Sequence, residues 1–404
     1  MKIAHICQSY PPMVSGQSFM VERLARGAHG LGHQVMVISA SDRKEPYTTV
    51  TNGIHLVRLT SWRNPLRVGQ RLTVWGAGEM KAALLDFQAD IVHLHDPTNS
   101  GLAGIAAARA LRIPVLLTAH AMPWLINAYL PDMPVVARTV ESISWAYARG
   151  VIRRCDLVVA PSLRAAREIH EETKVDVRVV SNGADLSRFT DEPLPREEEL
   201  DLREKFGIPP DVPIILHAGR LDSDKNVPAV VRAAARAMKN NDAHLLLAGD
   251  GVEREDLQAL CAELGIAERG HFPGFVDSKT DLPKVFRMAT LFVTASEMEV
   301  QSLVLLEAIA SGLPVVAVDA TSVSEMVEHG KSGYLVRSGD ERSMASAITK
   351  LLNNPDASSF GRRAREIAEQ HTLERTFKGY DELYREVLAK RAAARERRAG
   401  LLNL

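Results

Sequence analysis

The feature that most constrains this chain is the repeated alternation of short apolar runs with segments of helical periodicity. Runs such as QVMVIS, PIILHAG, HLLLAGDG and LFVTAS are nearly continuously apolar, as expected of parallel strands that are covered on both faces. The segments between such runs, for example SFMVERLARGAHGLG and NVPAVVRAAARAMK, carry apolar residues at helical spacing. We therefore predict an α/β protein built from doubly wound, Rossmann-like sheets.

The length of the chain, 404 residues, favours two domains over one. The alternation breaks near DLSRFTDEPLPREEELDLREKFGIPPDVP, where charges and prolines cluster without a strand pattern, so we place the linker at residues 186–210. The predicted domains span residues 1–188 and 189–372, and the helix over 373–404 is expected to pack back on the first. Two such domains facing each other imply a ligand-binding cleft outside the carboxyl ends of their strands.

Charge is distributed unevenly between the two halves. Residues 1–190 carry 21 Lys+Arg against 15 Asp+Glu, whereas the remainder carries 28 against 35. This asymmetry indicates that only the first half meets an anionic partner. The three cysteines are far apart, no signal peptide is evident, and no run of 18 apolar residues occurs, so we predict a cytoplasmic protein without a disulfide framework or a membrane span.

Two cations follow the first strand of the second half, in HAGRLDSDKNV. Arg220 and Lys225 lie five residues apart around a polar turn. Placed at the carboxyl end of a strand, they can clamp a diphosphate, the arginine through two hydrogen bonds and the lysine as a point charge. The alternative is a pair of solvated surface charges, but the position after a strand favours the binding site.

Two glutamates stand eight residues apart in TASEMEVQSLVLLEAIASGLPVV. Glu299 is predicted to lie just before a helix that begins near Gln301, and Glu307 lies inside that helix. Carboxylates accept hydrogen bonds from vicinal diols, which a sugar and a ribose each provide. The N–H groups of the first helical turn, at Ser302, Leu303 and Val304, can meet the phosphates of a nucleotide sugar. The alternative for Glu307 is a partly buried carboxylate paired within the protein.

A glycine precedes the first helix, in QSYPPMVSGQSFM. Gly16 allows a ligand to approach the backbone, and the first helical turn presents N–H groups to a phosphate. An ordinary turn between a strand and a helix explains the same pattern equally well.

The ordered set AGRLDSDK, LLLAGDG, HFPGF and the E-x7-E of EMEVQSLVLLEA resembles the retaining glycosyltransferases of family four, which have the GT-B fold. The resemblance covers nearly the whole chain, and VVSNGADLSRF resembles the family's segment before the linker. The chain contains no G-x-G-x-x-G, which disfavours a dinucleotide oxidoreductase, and no G-x-x-x-x-G-K.

The resemblance implies a role for each matching residue. The implied catalytic residues are His120, Arg220, Lys225 and Glu299. Arg220 and Lys225 would bind the donor diphosphate, Glu307 the ribose and Glu299 the transferred sugar, with His120 close to that sugar. The other implied donor-binding residues are Gly16 at the phosphates, Asp250, Gly251, Phe275 and Val276 near the base, and Gln301, Ser302, Leu303 and Val304.

The resemblance also implies a mechanism. The departing diphosphate would help to take the acceptor proton, so that no protein nucleophile, no essential metal and no other cofactor is needed. The chain departs from the family at Gly16-Gln17, where many members have two glycines, and at Gln301-Ser302, where many have Phe-Gly. The second departure bears on which sugar is recognised.

Two histidines in HLHDP require separate treatment. His93 and His95 are two residues apart on a predicted strand and therefore share a face. They could bind a metal, but no third ligand at a suitable spacing is evident. We favour a position on the cleft floor near the acceptor.

The acceptor is suggested by a basic segment. Residues 46–78 contain four arginines and no acidic residue, and two tryptophans lie among them: Arg58, Arg63, Arg67, Arg71, Trp62 and Trp75. Beyond His120, an apolar stretch includes Trp124 and Tyr129. Basic residues with interfacial aromatics can seat a protein on an anionic membrane. The alternative is a solvated basic face with the aromatics in the core.

The sequence therefore predicts a retaining transferase that moves a hexose from a nucleotide-diphosphate sugar, such as UDP-glucose, to a lipid such as diacylglycerol. It would act on the inner face of a membrane as a peripheral protein, without a nucleic-acid partner. The run SEMEVQSLVLLEA is similar to that of bacterial diacylglycerol glucosyltransferases. The alternatives are a soluble small-molecule or polysaccharide acceptor, a sugar-nucleotide epimerase, and a nucleotide-sugar sensor without catalysis.

Overall fold

The computed structural model of the 404-residue chain describes residues 1–13, 15–64, 71–74, 76–125, 134–354 and 356–402. The chain forms two compact units. Unit 1 consists of Met1–Ser181 and Glu374–Leu404, and unit 2 of Asn182–Leu373. The chain thus passes from unit 1 to unit 2 after Ser181, seven residues before the boundary predicted at residue 188.

Unit 1 contains an eight-stranded sheet and a separate hairpin. Its strands are β1 (Lys2–Ile6), β2 (Gln34–Ala40), β3 (Tyr47–Thr51), β4 (Ile54–Leu59), β5 (Ser61–Arg63), β6 (Arg71–Thr73), β7 (Ile91–Leu94), β8 (Val115–Thr118), β9 (Leu157–Ala160) and β10 (Val177–Val179). Its first helices are α1 (Gly16–Gly30), α2 (Ala77–Phe87), α3 (Asn99–Ala110), α4 (Pro134–Ile152) and α5 (Leu163–Thr173).

The order in the large sheet is β10-β9-β8-β7-β1-β2-β4-β3. All neighbours are parallel except β3, which pairs antiparallel to β4, and β5 pairs with β6 in the hairpin. The order reverses at β1, which lies between β7 and β2. The loops that follow β1 and β7 therefore share one edge at a topological switch point, where doubly wound sheets bind ligands.

Unit 2 is built in the same way. Its helices are α6 (Arg196–Lys205), α7 (Val227–Ala237), α8 (Arg254–Glu263), α9 (Leu282–Met288), α10 (Leu303–Ala310), α11 (Glu341–Leu352) and α12 (Ala357–Ala368). Its strands are β11 (Ile214–Ala218), β12 (His244–Ala248), β13 (Gly270–Gly274), β14 (Leu291–Thr294), β15 (Val315–Val318) and β16 (Gly333–Val336). The parallel order β13-β12-β11-β14-β15-β16 places the switch point between β11 and β14.

The central strands are buried along their whole length, because helices cover both faces of each sheet. Every residue of β8, β11, β12, β14 and β15 is buried. Their continuous apolar runs are thus explained by burial on two sides rather than one. The predicted α/β architecture with two doubly wound sheets is confirmed.

The last helix, α13 (Leu373–Leu402), packs on unit 1. Tyr380 and Tyr384 on this helix are buried, and their hydroxyls bond Thr118 Oγ1 at 3.0 Å and His93 Nδ1 at 2.8 Å. Gly27 of α1 leaves room for the Phe377 ring, since a Cβ there would stand 2.3 Å from it.

The segment placed in a linker at residues 186–210 contains a helix and belongs to unit 2. Helix α6 begins with three glutamates and has Arg203 and Lys205 in its last turn, an arrangement that complements the helix dipole. Leu202 is buried, and Arg203 bonds Glu199 at 2.7 Å and the carbonyls of Pro209 and Val212 at 3.1 Å. The high charge of this segment conceals its one buried face, so the linker prediction was wrong here. None of the helices in the described ranges is both long and apolar enough to cross a membrane.

Candidate functional site

Arg220 and Lys225 come together around a buried carboxylate at the end of β11. Asp224, in the short 3-10 turn Ser223–Lys225, accepts from Arg220 Nη2 at 3.0 Å (Oδ1) and 2.8 Å (Oδ2). Lys225 Nζ lies 3.3 Å from Asp224 Oδ2. Asp224 is only 7% exposed, so its charge is held in place by these two cations. Asp224 was not predicted as a site residue, although it directly precedes Lys225 in the sequence.

Lys225 also binds the first of the two predicted glutamates. Its Nζ lies 2.6 Å from Glu299 Oε1, because β11 and β14 are neighbours and their following loops emerge side by side. Burial by itself lowers the pKa of Lys225, but the charges of Glu299 and Asp224 outweigh burial and raise that pKa above its ordinary value. Lys225 therefore stays a cation throughout the physiological pH range.

Helix α10 starts beside this cluster. It begins at Leu303, two residues later than the sequence suggested, because Ser302 acts as the N-cap and its hydroxyl accepts from Leu305 N at 3.3 Å. The N–H groups of Leu303 and Val304 have no carbonyl one turn earlier to bond, as at any helix start. Glu307, 5% exposed, lies in the second turn of the same helix.

Gln301 is used inside unit 2. Its side chain is buried, its Oε1 accepts from Asn182 N at 2.7 Å, and its carbonyl accepts from Asn182 Nδ2 at 3.3 Å. Gln301 is predicted to bind the donor, and in the structure its side chain bonds the first residue of unit 2. No periodicity or spacing marks this contact, which joins residues 119 positions apart.

The loops after β12 and β13 hold the residues predicted near the base. Gly251 must be glycine for a structural reason, because a Cβ there would stand 2.4 Å from the Leu221 carbonyl oxygen. Asp250 is exposed and accepts from Gly251 N at 2.9 Å. Phe275 is 60% exposed while the adjacent Val276 is buried, so the ring of Phe275 is available for stacking.

His217, at the end of β11, was missed in the sequence. It is buried, and its Nδ1 lies 3.0 Å from the Val293 carbonyl oxygen. Burial lowers its pKa to about 4, so the ring is neutral near Lys225 and Glu299. Its Nε2 has no hydrogen-bond partner within the described ranges. The feature of the sequence that could have identified His217 is its position near the carboxyl end of a predicted strand.

In unit 1, Gly16 is the first residue of α1. Ser15 caps the helix by accepting from Ser18 N at 3.0 Å, and a Cβ on Gly16 would meet no atom within 4 Å. The backbone at Gly16 is thus open to an approaching group. The next residue, Gln17, donates to the His95 carbonyl at 2.8 Å and to Asp96 Oδ2 at 3.3 Å, and so ties α1 to the end of β7.

Asp96 is a buried carboxylate at the same switch point. It accepts from Gln8 N at 2.6 Å, Ser100 Oγ at 2.9 Å and Thr98 N at 3.2 Å, and it also bonds the Thr98 hydroxyl. Neutral donors therefore satisfy its oxygens, as burial requires. These contacts fix the loops after β1 and β7 relative to each other.

Four histidines meet on one face of the sheet in unit 1. His5 Nδ1 lies 2.9 Å from His95 Nε2, and His95 Nδ1 lies 3.0 Å from His120 Nε2. His93 packs beside these rings but is not part of their hydrogen-bonded series. It bonds Tyr384 Oη at 2.8 Å and Thr118 Oγ1 at 2.7 Å. His120, predicted from the resemblance, thus sits at the outer end of a chain of imidazoles.

His5 is the third neighbour that the sequence analysis did not find for His93 and His95. One ring nitrogen from each of the three side chains lies within 4.8 Å of one ring nitrogen of each of the others. The pairing of β1 with β7 sets His5 opposite His93, which was the signal available in the sequence. Both nitrogens of His93 and of His95, and Nδ1 of His5, are engaged in the hydrogen bonds just described. The link between His5 and His95, at 2.9 Å, has a normal hydrogen-bond length.

The residues predicted at an acceptor or membrane surface differ from one another in how exposed they are. Arg63 and Trp62 are exposed on the β5–β6 hairpin, with Trp62 68% exposed, whereas Arg71 donates to Ser61 Oγ at 2.8 Å and Ser61 O at 3.0 Å. Trp124 is half-buried and bonds the Glu168 carboxylate. Arg67, Trp75 and Tyr129 lie outside the described residues.

Arg58 is not part of a basic surface. It is 1% exposed, and its guanidinium donates to Ala40 O at 2.9 Å, to Tyr10 O at 3.4 Å and to the Pro11 carbonyl. Arg58 ties the loop after β1 to the end of β2 by binding carbonyls of both. The basic segment over 46–78 is therefore less basic at its surface than the composition suggested.

Both halves of the chain match known families. Residues 14–188 match the family described as "Glycosyltransferase Family 4", and residues 198–370 match "Glycosyl transferases group 1".

Two characterised relatives span most of the chain. An alpha-monoglucosyldiacylglycerol synthase of Streptococcus pneumoniae is 27% identical over 388 residues, which cover 91% of this chain and 85% of the relative. An N-acetyl-alpha-D-glucosaminyl L-malate synthase of Bacillus anthracis is 30% identical over 306 residues, which cover 74% of this chain and 75% of the relative.

Solved structures share the fold at lower identity. Sucrose-phosphate synthase of Thermosynechococcus elongatus matches with a TM-score of 0.81 at 22% identity, covering 96% of this chain and 99% of that one. HepE of Anabaena, solved in complex with UDP and glucose, matches with a TM-score of 0.74 at 19% identity, covering 95% of this chain and 99% of that one. The GT-B fold predicted for the chain is thereby confirmed.

Proposed function

The chain belongs to the family-four glycosyltransferases, and from that premise we propose that it is a retaining hexosyltransferase using a nucleotide-diphosphate sugar, UDP-glucose or a relative. The observation that carries this proposal is the cluster at the β11–β14 switch point. It places Arg220, Lys225 and Glu299 beside the start of α10. Two cations and a helix N-terminus suit a diphosphate, and a carboxylate suits a sugar hydroxyl.

The chemistry proposed for this cluster is stabilisation of a leaving group. As the glycosidic bond to the donor breaks, negative charge grows on the diphosphate. Arg220, Lys225 and the N–H groups of Leu303 and Val304 are oriented before the reaction, so they stabilise this charge without reorganising. Asp224 keeps both cations in position through its buried carboxylate.

The remaining donor contacts follow from the family resemblance. Glu307 would bind the ribose, Phe275 the base, and Glu299 hydroxyls of the sugar, for which it would exchange part of its bond to Lys225. The departing diphosphate would help to take the acceptor proton, so the mechanism needs no protein nucleophile and no metal. Retention of configuration would follow because the acceptor attacks from the face that the leaving group vacates.

The acceptor that we propose is a lipid such as diacylglycerol at a membrane surface. The relative from Streptococcus pneumoniae, named for a glucosyldiacylglycerol product, supports this proposal. So do Trp62 and Arg63, an aromatic and a cation that are both exposed at consecutive positions of β5. The second candidate is a small soluble acceptor, which is supported by the relative named for an L-malate product.

The experiment that tests the proposal is release of UDP from UDP-glucose, with and without liposomes containing diacylglycerol and an anionic lipid. Release that requires the liposomes, with a glucosylated lipid as product, is the expected result. Release with L-malate but not with liposomes would replace the lipid by the soluble acceptor. No release with UDP-, GDP- or ADP-sugars and either acceptor would contradict the proposed reaction.

A further inference from the structure

The imidazoles of His5, His95 and His120 form a continuous hydrogen-bonded chain. The two links are 2.9 Å and 3.0 Å long, and the rings are nearly parallel, with interplanar angles of 16° and 21°. Each link joins Nδ1 of one ring to Nε2 of the next. In each link one nitrogen must carry a proton and donate it in a hydrogen bond, and the other must accept that hydrogen bond through its lone pair.

The protonation state of His95 limits the N–H groups of these three imidazoles to two possible orientations. A His95 that donated at both nitrogens would be a cation. Burial lowers the pKa of His95 well below its ordinary value, and burial likewise lowers that of His5 to about 3 and that of His120 to about 4. All three rings are therefore neutral at pH 7 and carry one N–H each, and the N–H groups must all point the same way.

The inner end of the chain decides between the two directions. His5 Nε2 is buried and has no hydrogen-bond partner in the part of the chain that the structure describes. If the N–H groups pointed inwards, this atom would be a buried donor without an acceptor. If they point outwards, it is a bare lone pair. Unpaired donors are the rarer of the two in protein interiors, so the outward direction is favoured.

Unit 2 contains an independent example of the same preference. His217 Nδ1 faces the Val293 carbonyl oxygen at 3.0 Å, and only an N–H can bond there. The Nε2 of the neutral His217 ring is then a bare lone pair, and it too is buried without a partner among the described residues. The protein therefore tolerates a buried Nε2 lone pair at His217 in unit 2 as well.

We infer that His5 and His95 are positioning residues that hold His120 in the neutral Nδ1–H form, so that His120 donates a hydrogen bond outwards and does not act as a base. With His120 Nε2 occupied by His95, its Nδ1–H is the polar group that remains for a ligand. Resting on the proposed function, we assign an oxygen of the transferred sugar as the acceptor of this bond. The acceptor proton must then leave by another route, consistent with a role for the departing diphosphate.

The test is nitrogen NMR on the full chain labelled with 15N-histidine, without any substrate. Couplings from the ring nitrogens to the carbon-bound protons distinguish Nδ1–H from Nε2–H, and His5→Gln, His95→Asn and His120→Gln variants assign the signals. We expect Nδ1–H at His5, His95 and His120. An Nε2–H signal at His120 at pH 7 would overturn the inference whether or not the enzyme transfers glucose.

Variants at His95 test the positioning role. His95→Leu removes the donor to His120 Nε2 and is expected to release His120 into the Nε2–H form, with kcat/KM reduced roughly 10- to 100-fold. Asparagine places an amide where Nδ1 stands, so His95→Asn should keep the Nδ1–H form and lose no more than about threefold in kcat/KM. The two variants separate the hydrogen bond from the loss of the ring.

The matched control is Tyr384→Phe, which removes a hydrogen bond from the same buried cluster but on His93. It should leave both the tautomer of His120 and kcat/KM unchanged. An unchanged His120 tautomer in His95→Leu, or equal losses in His95→Leu and His95→Asn with the tautomer intact, would show that His95 acts only through packing.

Discussion

Lys225 meets two carboxylates at once, Glu299 at 2.6 Å and Asp224 at 3.3 Å. Arg220 shares Asp224 and also bonds Asp222. These carboxylates thus hold both cations in fixed orientations. A donor diphosphate would meet groups already held at fixed distances, which lowers the entropy lost on binding and on reaching the transition state.

Removing the ammonium group of Lys225 tests the role proposed for this residue in turnover. We expect Lys225→Ala to lower kcat by roughly 10²- to 10³-fold, the loss measured when one preorganised charge-stabilising group is removed. The fold should survive, as judged by circular dichroism and the urea midpoint. Lys331→Ala is the control, since Lys331 is exposed in the same unit and pairs only at 3.7 Å with Glu328. Turnover close to wild type in Lys225→Ala would contradict the proposed site.

At this scale the sequence identifies residues whose position after a strand already implies exposure at the sheet edge. Arg220, Lys225 and Glu299 are of this kind, and the structure brings them together. Arg58 was misjudged, and the contact of Gln301 with Asn182 was not foreseen, because a polar side chain can turn inwards to satisfy a backbone group far away in sequence. Composition and spacing do not record which backbone groups need a partner.

The loops after β11 and β12 lie against each other without side chains between them. A Cβ on Gly249 would stand 1.7 Å from the Gly219 carbonyl oxygen. The close approach lets Leu221 N bond Asp250 O at 3.0 Å and Glu253 N bond Leu221 O at 3.0 Å. The loop that carries Arg220 is therefore supported by its neighbour, and the position of the cations depends on a glycine.

We expect Gly249→Ala to push these loops apart. The overpacking should lower the free energy of unfolding by about 1–3 kcal/mol. Because Arg220 lies on the displaced loop, KM for the donor should also rise. Urea denaturation and donor titrations measure the two effects. Gly78→Ala in α2 is the control, because a Cβ there meets no atom within 4 Å. A Gly249→Ala protein as stable as wild type would show that the approach is looser than described.

Helices and strands were predicted best where apolar periodicity is strong, as in α7 and β12. The periodicity failed for α6, whose charged surface hides a single buried leucine, and it placed the start of α10 two residues early. A helix start is set by the cap, and Ser302 was read as a ligand contact rather than as the residue that bonds Leu305 N.

Over the whole molecule, buried neutral histidines make stability depend on pH. Burial lowers the pKa of seven histidines: His5 to about 3, His120 and His217 to about 4, His93 and His95 well below 6.5, and His244 and His271 also below 6.5. In the unfolded chain each binds a proton below about pH 6.5. Between that pH and the lower folded values the unfolded state binds more protons, so stability falls as pH falls.

We expect the free energy of unfolding to be flat above pH 7.5 and to fall steeply between pH 6.5 and pH 5. Each histidine that stays neutral contributes about 1.4 kcal/mol per pH unit to the slope in that window. Urea titrations at pH 7.5, 6.0 and 5.0 measure it, and few carboxylates titrate above pH 5 to confuse the result. Equal midpoints at pH 7.5 and 5.0 would show that the histidines are solvated.

The arrangement of charges in unit 2 also predicts how the enzyme responds to loss of metal. In the proposed mechanism, Arg220, Lys225 and the start of α10 would take the part that a divalent cation has in other phosphoryl sites. We expect turnover to be unchanged after dialysis against EDTA, measured without added metal. Loss of turnover with EDTA and recovery with Mg²⁺ or Mn²⁺ would contradict this mechanism, and recovery with Zn²⁺ alone would point to His5, His93 and His95.

Unit 2 is continuous in the chain, but unit 1 is completed only by α13, which is synthesised after the whole of unit 2. Until that helix leaves the ribosome, His93 and Thr118 lack the hydroxyls of Tyr384 and Tyr380, and Gly27 lacks the ring of Phe377. The nascent first half must therefore wait, partly assembled, while the second half is translated and can fold. The unit that is synthesised first is thus the unit that is completed last.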